Sequence, residues 1–198
     1  MEETHNKEKL TLNGYQSAAM GTALAASLNT AYMAYGLVNE IGELQEKFIS
    51  ESSGMVSSED TLKELGDVLW YIAGVSHIRG WKLSEVMTGI VTDITINEYE
   101  AKEFAKSSDS NSRQDSNVIL SINLSLAAGS LCGALKKEIR DNAHKPDVEK
   151  DALRKIFQIS TVLAKKLGST LEHVATANIA KLASRKARGV IGGNGDNR

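Results

Sequence analysis

Apolar residues recur three and four positions apart along most of the chain, and the strict alternation of a half-buried strand is nearly absent. That periodicity predicts helices over 12–29, 31–50, 60–79, 83–103, 118–141, 148–167 and 171–187. Gly80 and Gly168 stand where the glycine that closes a helix belongs. The expected fold class is therefore all-α, a helical bundle. A polar, serine-rich stretch from Ser107 to Asn117 reads as a linker, and the Gly- and Asn-rich tail from Gly189 to Arg198 reads as irregular.

The helical pattern repeats. Leu65, Val68, Gly80, Leu83 and Val86 correspond to Leu153, Ile156, Gly168, Leu171 and Val174 at a constant offset of 88. Upstream, Leu37, Ile41, Gly42 and Leu44 correspond to Ala128, Cys132, Gly133 and Leu135 at an offset of 91. Two repeated helical hairpins are expected, residues 1–106 and 118–198, joined through 107–117. A hairpin alone cannot bury its apolar face, so the halves should pack as one domain.

Composition narrows the class of protein. The chain of 198 residues carries 41% hydrophobic and 24% charged residues, which suits a globular protein. A net charge of −2 makes a poor field for a nucleic-acid backbone, even with Lys181, Arg185, Lys186 and Arg188 gathered near the C-terminus. No apolar run reaches about 18 residues without polar interruption, so no membrane is expected as a partner. The lone Cys132 excludes an internal disulfide, suits a reducing cytoplasm, and reads as a small buried hydrophobe.

Two acidic pairs carry the candidate chemistry. Glu40 and Glu43, then Glu64 and Asp67, are each spaced i, i+3, which places both members on one face of one helix. Both pairs are interleaved with apolar residues, unlike a solvated acidic face. Four carboxylates ~5 Å apart would repel by roughly 3 kcal/mol per pair at an effective dielectric near 20. A hard divalent cation with oxygen ligands would relieve that repulsion. A di-iron bundle needs Glu-x-x-His pairs, and His5, His77, His144 and His173 stand at no such spacing. Mg²⁺ is the expected cofactor, with Mn²⁺ as a substitute.

At these residues the sequence resembles the MazG-like branch of the all-α NTP pyrophosphohydrolases. The resemblance rests on Glu40-Ile41-Gly42-Glu43, a twenty-residue spacer, and Glu64-Leu65-Gly66-Asp67 followed by Val-Leu-Trp-Tyr. It also rests on Tyr15-Gln16 with Ala19 and Thr22, on Gly36-Leu37, and on Asn178, Lys181, Arg185 and Arg188-Gly189 ahead of Gly193-Asn194-Gly195-Asp196. One departure is evident. The acidic positions of the second half hold Leu131, Ala134, Ala152 and Lys155, while the first half has Ile90 and Asp93 where the basic tail would begin. One half keeps the acids and the other the tail, so a single composite site is expected.

The resemblance implies the all-α NTP pyrophosphatase fold and hydrolysis of an NTP or dNTP to monophosphate and pyrophosphate. It implies metal ligation by Glu40, Glu43, Glu64 and Asp67, with Glu40 or Glu43 as general base. Asn178, Lys181, Arg185 and Arg188 would contact the substrate, and Trp70 and Tyr71 stand as weaker candidates for stacking on its base. Lys47 and His77 are weaker still. A homo-oligomer, a dimer of pseudo-dimers, and a cytoplasmic setting, the host's where a phage encodes the protein, complete the expectation. The rival is a non-enzymatic helical assembly or nucleotide-binding module descended from such an enzyme.

Overall fold

A computed structural model describes residues 9–52, 57–106 and 116–192. Within them the protein is all-helical: α1 Leu12–Met20, α2 Thr30–Ser52, α3 Ser58–Ile78, α4 Leu83–Thr88, α5 Ile96–Lys106, α6 Asn117–Asp141, α7 Pro146–Lys166 and α8 Leu171–Ala187. A 3₁₀ turn, Ala25–Ser27, and an isolated bridge between Thr11 and Thr95 are the remaining regular features among the described residues. The 107–115 part of the expected linker and the Gly193-Asn194-Gly195-Asp196 segment lie outside the described residues.

Local chemistry sets the helix ends. Thr11, Ser57, Ser116 and Thr170 cap α1, α3, α6 and α8, each side chain accepting from the amide three residues on. Pro146 opens α7, where a missing N–H costs nothing. Gly80 and Gly168 close α3 and α7 with φ of 71° and 76°, a region that disfavours side chains. The amide of Trp81 then donates to Ser76 O, and that of Ser169 to Ala164 O.

Two expected helices are shorter than their periodicity suggested. The 12–29 helix ends at Met20, because the Ala19 carbonyl accepts from the Trp70 indole and the Thr22 hydroxyl. The 83–103 helix is two helices. Gly89 turns left-handed at φ 75°, the chain bends through Thr92, and it pairs at Thr95 before α5 begins. There Leu12 N donates to Ile94 O, Ile96 N to Leu10 O, and Asn13 N to the Asp93 carboxylate. The β-branched run Ile90-Val91-Thr92 is a poor helix former, which helps to keep this segment out of a continuous helix.

α2 packs along α3, α6 packs along α7, and α2 meets α6 while α3 meets α7 and α8. One apolar cluster runs through all of them, from Leu12 and Tyr15 through Leu37, Leu44, Leu65 and Leu69 to Leu131, Ile156, Leu163 and Val174. Cys132 is half-buried against that cluster, and burial pushes its thiol pKa up, away from thiolate chemistry. Helix α6 is long and apolar enough to cross a membrane, although Ser121, Asn123, Ser125 and Ser130 interrupt it. Its inner face packs in the core at Leu120, Leu124 and Leu131, whereas Val118, Ile119, Ile122 and Leu126 are exposed.

Candidate metal centre

The candidate site lies where the seam between α2 and α3 meets α8. On α2, Leu37, Ile41, Leu44 and Phe48 are buried, which leaves Glu40, Glu43 and Lys47 as a second stripe at helical spacing. On α3, Leu65, Val68 and Leu69 face the core while Glu64 and Asp67 occupy the edge toward α2 and α8. Two glycines set how closely the elements approach. A Cβ on Gly36 would fall 2.1 Å from the Tyr71 ring, so the ring lies on the α2 backbone one turn before Glu40. A Cβ on Gly66 would stand 3.0 Å from that of Asn178, which brings α8 directly onto the Glu64–Asp67 turn.

Glu40, Glu43 and Glu64 each offer a carboxylate oxygen within 4.8 Å of the others. Glu64 is fully buried and Glu40 half-buried. Glu43 accepts from Asn39 Nδ2 at 2.6 Å. Lys47 Nζ stands 3.4 Å from Glu64 Oε1. Asp67 is turned toward the second half of the chain, accepting from Asn178 Nδ2 at 2.8 Å and from Lys181 Nζ at 2.5 Å. Asn178, buried, in turn accepts from the Tyr15 hydroxyl at 3.3 Å. Thus three of the four expected ligands gather closely, and the fourth stands beside them with its oxygens held by α8.

Electrostatics couple these groups. Burial, then the charges of Asp67, Glu43 and Glu64, pushes the Glu40 carboxyl up to about 8, with Lys181 pulling weakly the other way. Burial and Asp67 likewise push the Tyr15 hydroxyl up. Tyr71 is raised by burial and by Tyr32 and Glu40. The sign for Glu40 is definite. A carboxyl whose folded pKa exceeds its unfolded value favours the folded state below about pH 4.5, and that contribution is lost as pH rises toward 8. A cation held by Glu40 would have to displace that proton. Mn²⁺ affinity is therefore expected to climb from pH 6 to pH 8, by at most about tenfold per unit, and then level off. Titrations of Mn²⁺ at pH 6, 7, 8 and 9 check this; a flat profile between 6 and 8 would show that Glu40 takes no part in holding the ion.

The remaining sequence candidates fall in different places. Arg185 is buried one turn beyond Lys181, and Arg188 is the exposed C-cap of α8. Trp70 is structural: its indole bonds Ala19 O and Thr22 Oγ1, and its ring meets Tyr71 edge-on at 5.0 Å. Tyr71 packs over Gly36 with Tyr32 6.4 Å away. His77 is exposed in the last turn of α3, about 20 Å along the helix from Glu64 at 1.5 Å per residue. Tyr15, part of the resemblance but given no role there, reaches the site through Asn178. Its placement on a buried face of α1 was the one available sign.

These features define an all-α protein with a carboxylate cluster at a helix–helix seam, bordered by an amide and a lysine from a distant part of the chain. The chain is similar to the Gene 37 protein of Mycobacterium phage L5, being 28% identical over 102 residues that take in 45% of this chain and 85% of the phage protein. No family model and no solved structure matches the chain.

Proposed function

We propose that the protein is a magnesium-dependent nucleoside triphosphate pyrophosphohydrolase, releasing pyrophosphate and a (deoxy)nucleoside monophosphate. Its main support is the gathering of Glu40, Glu43 and Glu64 within 4.8 Å at a half-buried seam. The donor set fits the group. Three carboxylate oxygens suit a hard divalent cation such as Mg²⁺ or Mn²⁺, and the Glu40 carboxyl is raised first by burial and then by the neighbouring negative charges that such a cation would offset. When bound, such an ion neutralises phosphate charge and acidifies a bound water. The chain's own residues do the rest. Glu43, with Asn39 holding one oxygen, takes the proton of the attacking water. Lys181 and Asn178 move from Asp67 to phosphate oxygens, and Arg185 and Arg188 extend the cationic border along α8.

Duplication of a helical hairpin accounts for the composite layout. Helices α3 and α7 have 21 residues each, offset by 88 at both ends, and α4 and α8 begin 88 apart. Both longer helices end in the same glycine cap. In the second half the positions equivalent to the acids are core, with Leu131, Ala134 and Ala152 buried, or surface, with Lys155 paired to Asp151. The pairing of Asp67 with Asn178 and Lys181 joins the acids of one half to the tail of the other. That same pairing also favours a second reading, a helical module in which a former ligand has become a structural anchor.

One experiment separates the two. The protein is incubated with each of the eight common NTPs and dNTPs and Mg²⁺, and pyrophosphate is measured. At least one substrate is expected to release pyrophosphate at a rate abolished by EDTA. Silence with all eight would leave the assembly module as the surviving reading.

A further inference from the structure

Glu64 is the most deeply buried member of the cluster, and a carboxylate held out of water needs either a proton or a positive charge close by. Lys47 supplies the charge. It stands one turn beyond Glu43 on the same stripe of α2, its ammonium is 3.4 Å from Glu64 Oε1, and its side chain is 30% exposed. The nearby Asp60 is held by Lys63 and Ser57 at 2.8 Å each and feels the Lys47 charge only as the last of its influences, while Glu64 is the carboxylate with which Lys47 forms an ion pair. The basic groups of α8 approach the cluster from the Asp67 end, where Lys181 lies. Lys47 is therefore an ammonium that the structure places directly on Glu64.

We propose that Lys47 is an internal counterion: it pairs with Glu64 and orients it while no metal is bound, and it restrains how tightly the cluster holds a divalent cation. The proposal rests on the cation-binding reading above. Two consequences of opposite sign follow from one charge. Without a cation, Lys47 stabilises the fold by pairing a buried carboxylate. With a cation, an ammonium 3.4 Å from a ligand oxygen repels the ion that the oxygen holds. Lys47 acts through Glu64 and is a positioning residue. It keeps the ion exchangeable, as a site needs if metal and nucleotide enter and leave together in each turnover.

The test compares the full-length protein with Lys47→Met and Lys47→Arg. Mn²⁺ binding without nucleotide is measured by calorimetry and by the electron paramagnetic resonance of free Mn²⁺ at pH 8; melting is measured in EDTA. Lys47→Met is expected to bind Mn²⁺ about tenfold more tightly and to melt at a lower temperature in EDTA. Lys47→Arg should match the parent in both. Lys47→Gln makes the same charge change should the methionine variant fail to fold. A lower melting temperature with unchanged or weaker Mn²⁺ binding would overturn the proposal and leave Lys47 a purely structural partner. An unchanged melting temperature would overturn it as well. Failure of the parent protein itself to bind millimolar Mn²⁺ would remove the metal reading first and this inference with it, an outcome visible before any variant is made.

Discussion

Glu43→Ala and Asp67→Ala are each expected to lower pyrophosphate release by at least about 10³-fold with Mg²⁺, while far-ultraviolet circular dichroism stays that of the parent. Glu43 contributes one of three oxygens that meet within 4.8 Å, and its loss removes both a donor and the proposed proton acceptor. Asp67 stands beside them and holds Lys181 and Asn178 in reach of the seam. Their stability effects should differ, and the difference is diagnostic. Glu43→Ala relieves repulsion on Glu40 and Glu64, so the metal-free protein should gain on the order of 1 kcal/mol. Asp67→Ala also relieves Glu40, but it strands the Lys181 ammonium and half of the Asn178 amide, so no gain is expected. An inactive variant that melts above its parent is the signature of a site whose geometry is costly to the fold. A solvated acidic face would yield neither inactivation nor stabilisation. Retention of normal activity in either variant would remove the four-carboxylate assignment.

The helical class and the seam were legible because both depend on spacing. Periodicity along Leu37, Ile41 and Leu44 names the buried stripe of α2, and i, i+3 spacing then puts Glu40 and Glu43 on the neighbouring one. Glycine caps at Gly80 and Gly168 fall where sequence places them, because positive φ is a local demand. What failed was interruption by distant partners. Apolar periodicity continues past Met20, yet the Trp70 indole, fifty-one residues away, takes the Ala19 carbonyl. Gly89 and the β-branched run after it were local signs against a helix spanning 83–103, outweighed in the reading by the apolar periodicity on either side. The direction of Asp67 was likewise beyond spacing. Which carboxylate turns to α8 depends on how close Gly66 lets Asn178 come, a property of packing between segments more than a hundred residues apart. The partner of Lys47 was beyond spacing for a similar reason: a lysine on an exposed edge of a helix looks solvated until the buried carboxylate opposite it is known.

Arg79→Ala is expected to destabilise the protein by about 3–5 kcal/mol, lowering its melting temperature by on the order of 10 °C for a chain of this size. Arg79 follows α3 and spreads its guanidinium between helices of the second half. It donates through Nε and Nη2 to both oxygens of Glu149, at 2.8 and 3.1 Å, and through Nη1 and Nη2 to Glu138. The Glu149 side chain is fully buried, and burial raises its carboxyl pKa despite the arginine. Glu138, more exposed, is held low by its bonds to Arg79. Among the described residues, truncating the arginine leaves Glu149 with the His144 imidazole, 3.3 Å away, as its one remaining basic partner. The pH dependence follows from the signs. Glu149, already raised, would rise further, so the folded variant would prefer that carboxyl protonated, and its deficit should shrink between pH 7 and pH 5. Loss of the Arg79 bonds to Glu138 adds nothing to that change, because a lowered carboxyl keeps its contribution down to its unfolded value of 4.5 and loses it only below that pH. A surface pair gives the control: Lys155→Ala, which breaks a contact to Asp151 with both side chains more than half exposed, should cost well under 1 kcal/mol. Thermal melts of the three proteins at pH 7 and pH 5 check the set. Because Arg79 joins α3 to α6 and α7, its loss should shift a single cooperative transition. Two separated transitions would show that the halves fold independently and that this network merely bridges them, and a deficit below 1 kcal/mol would mean that the buried pair orients the halves without stabilising them.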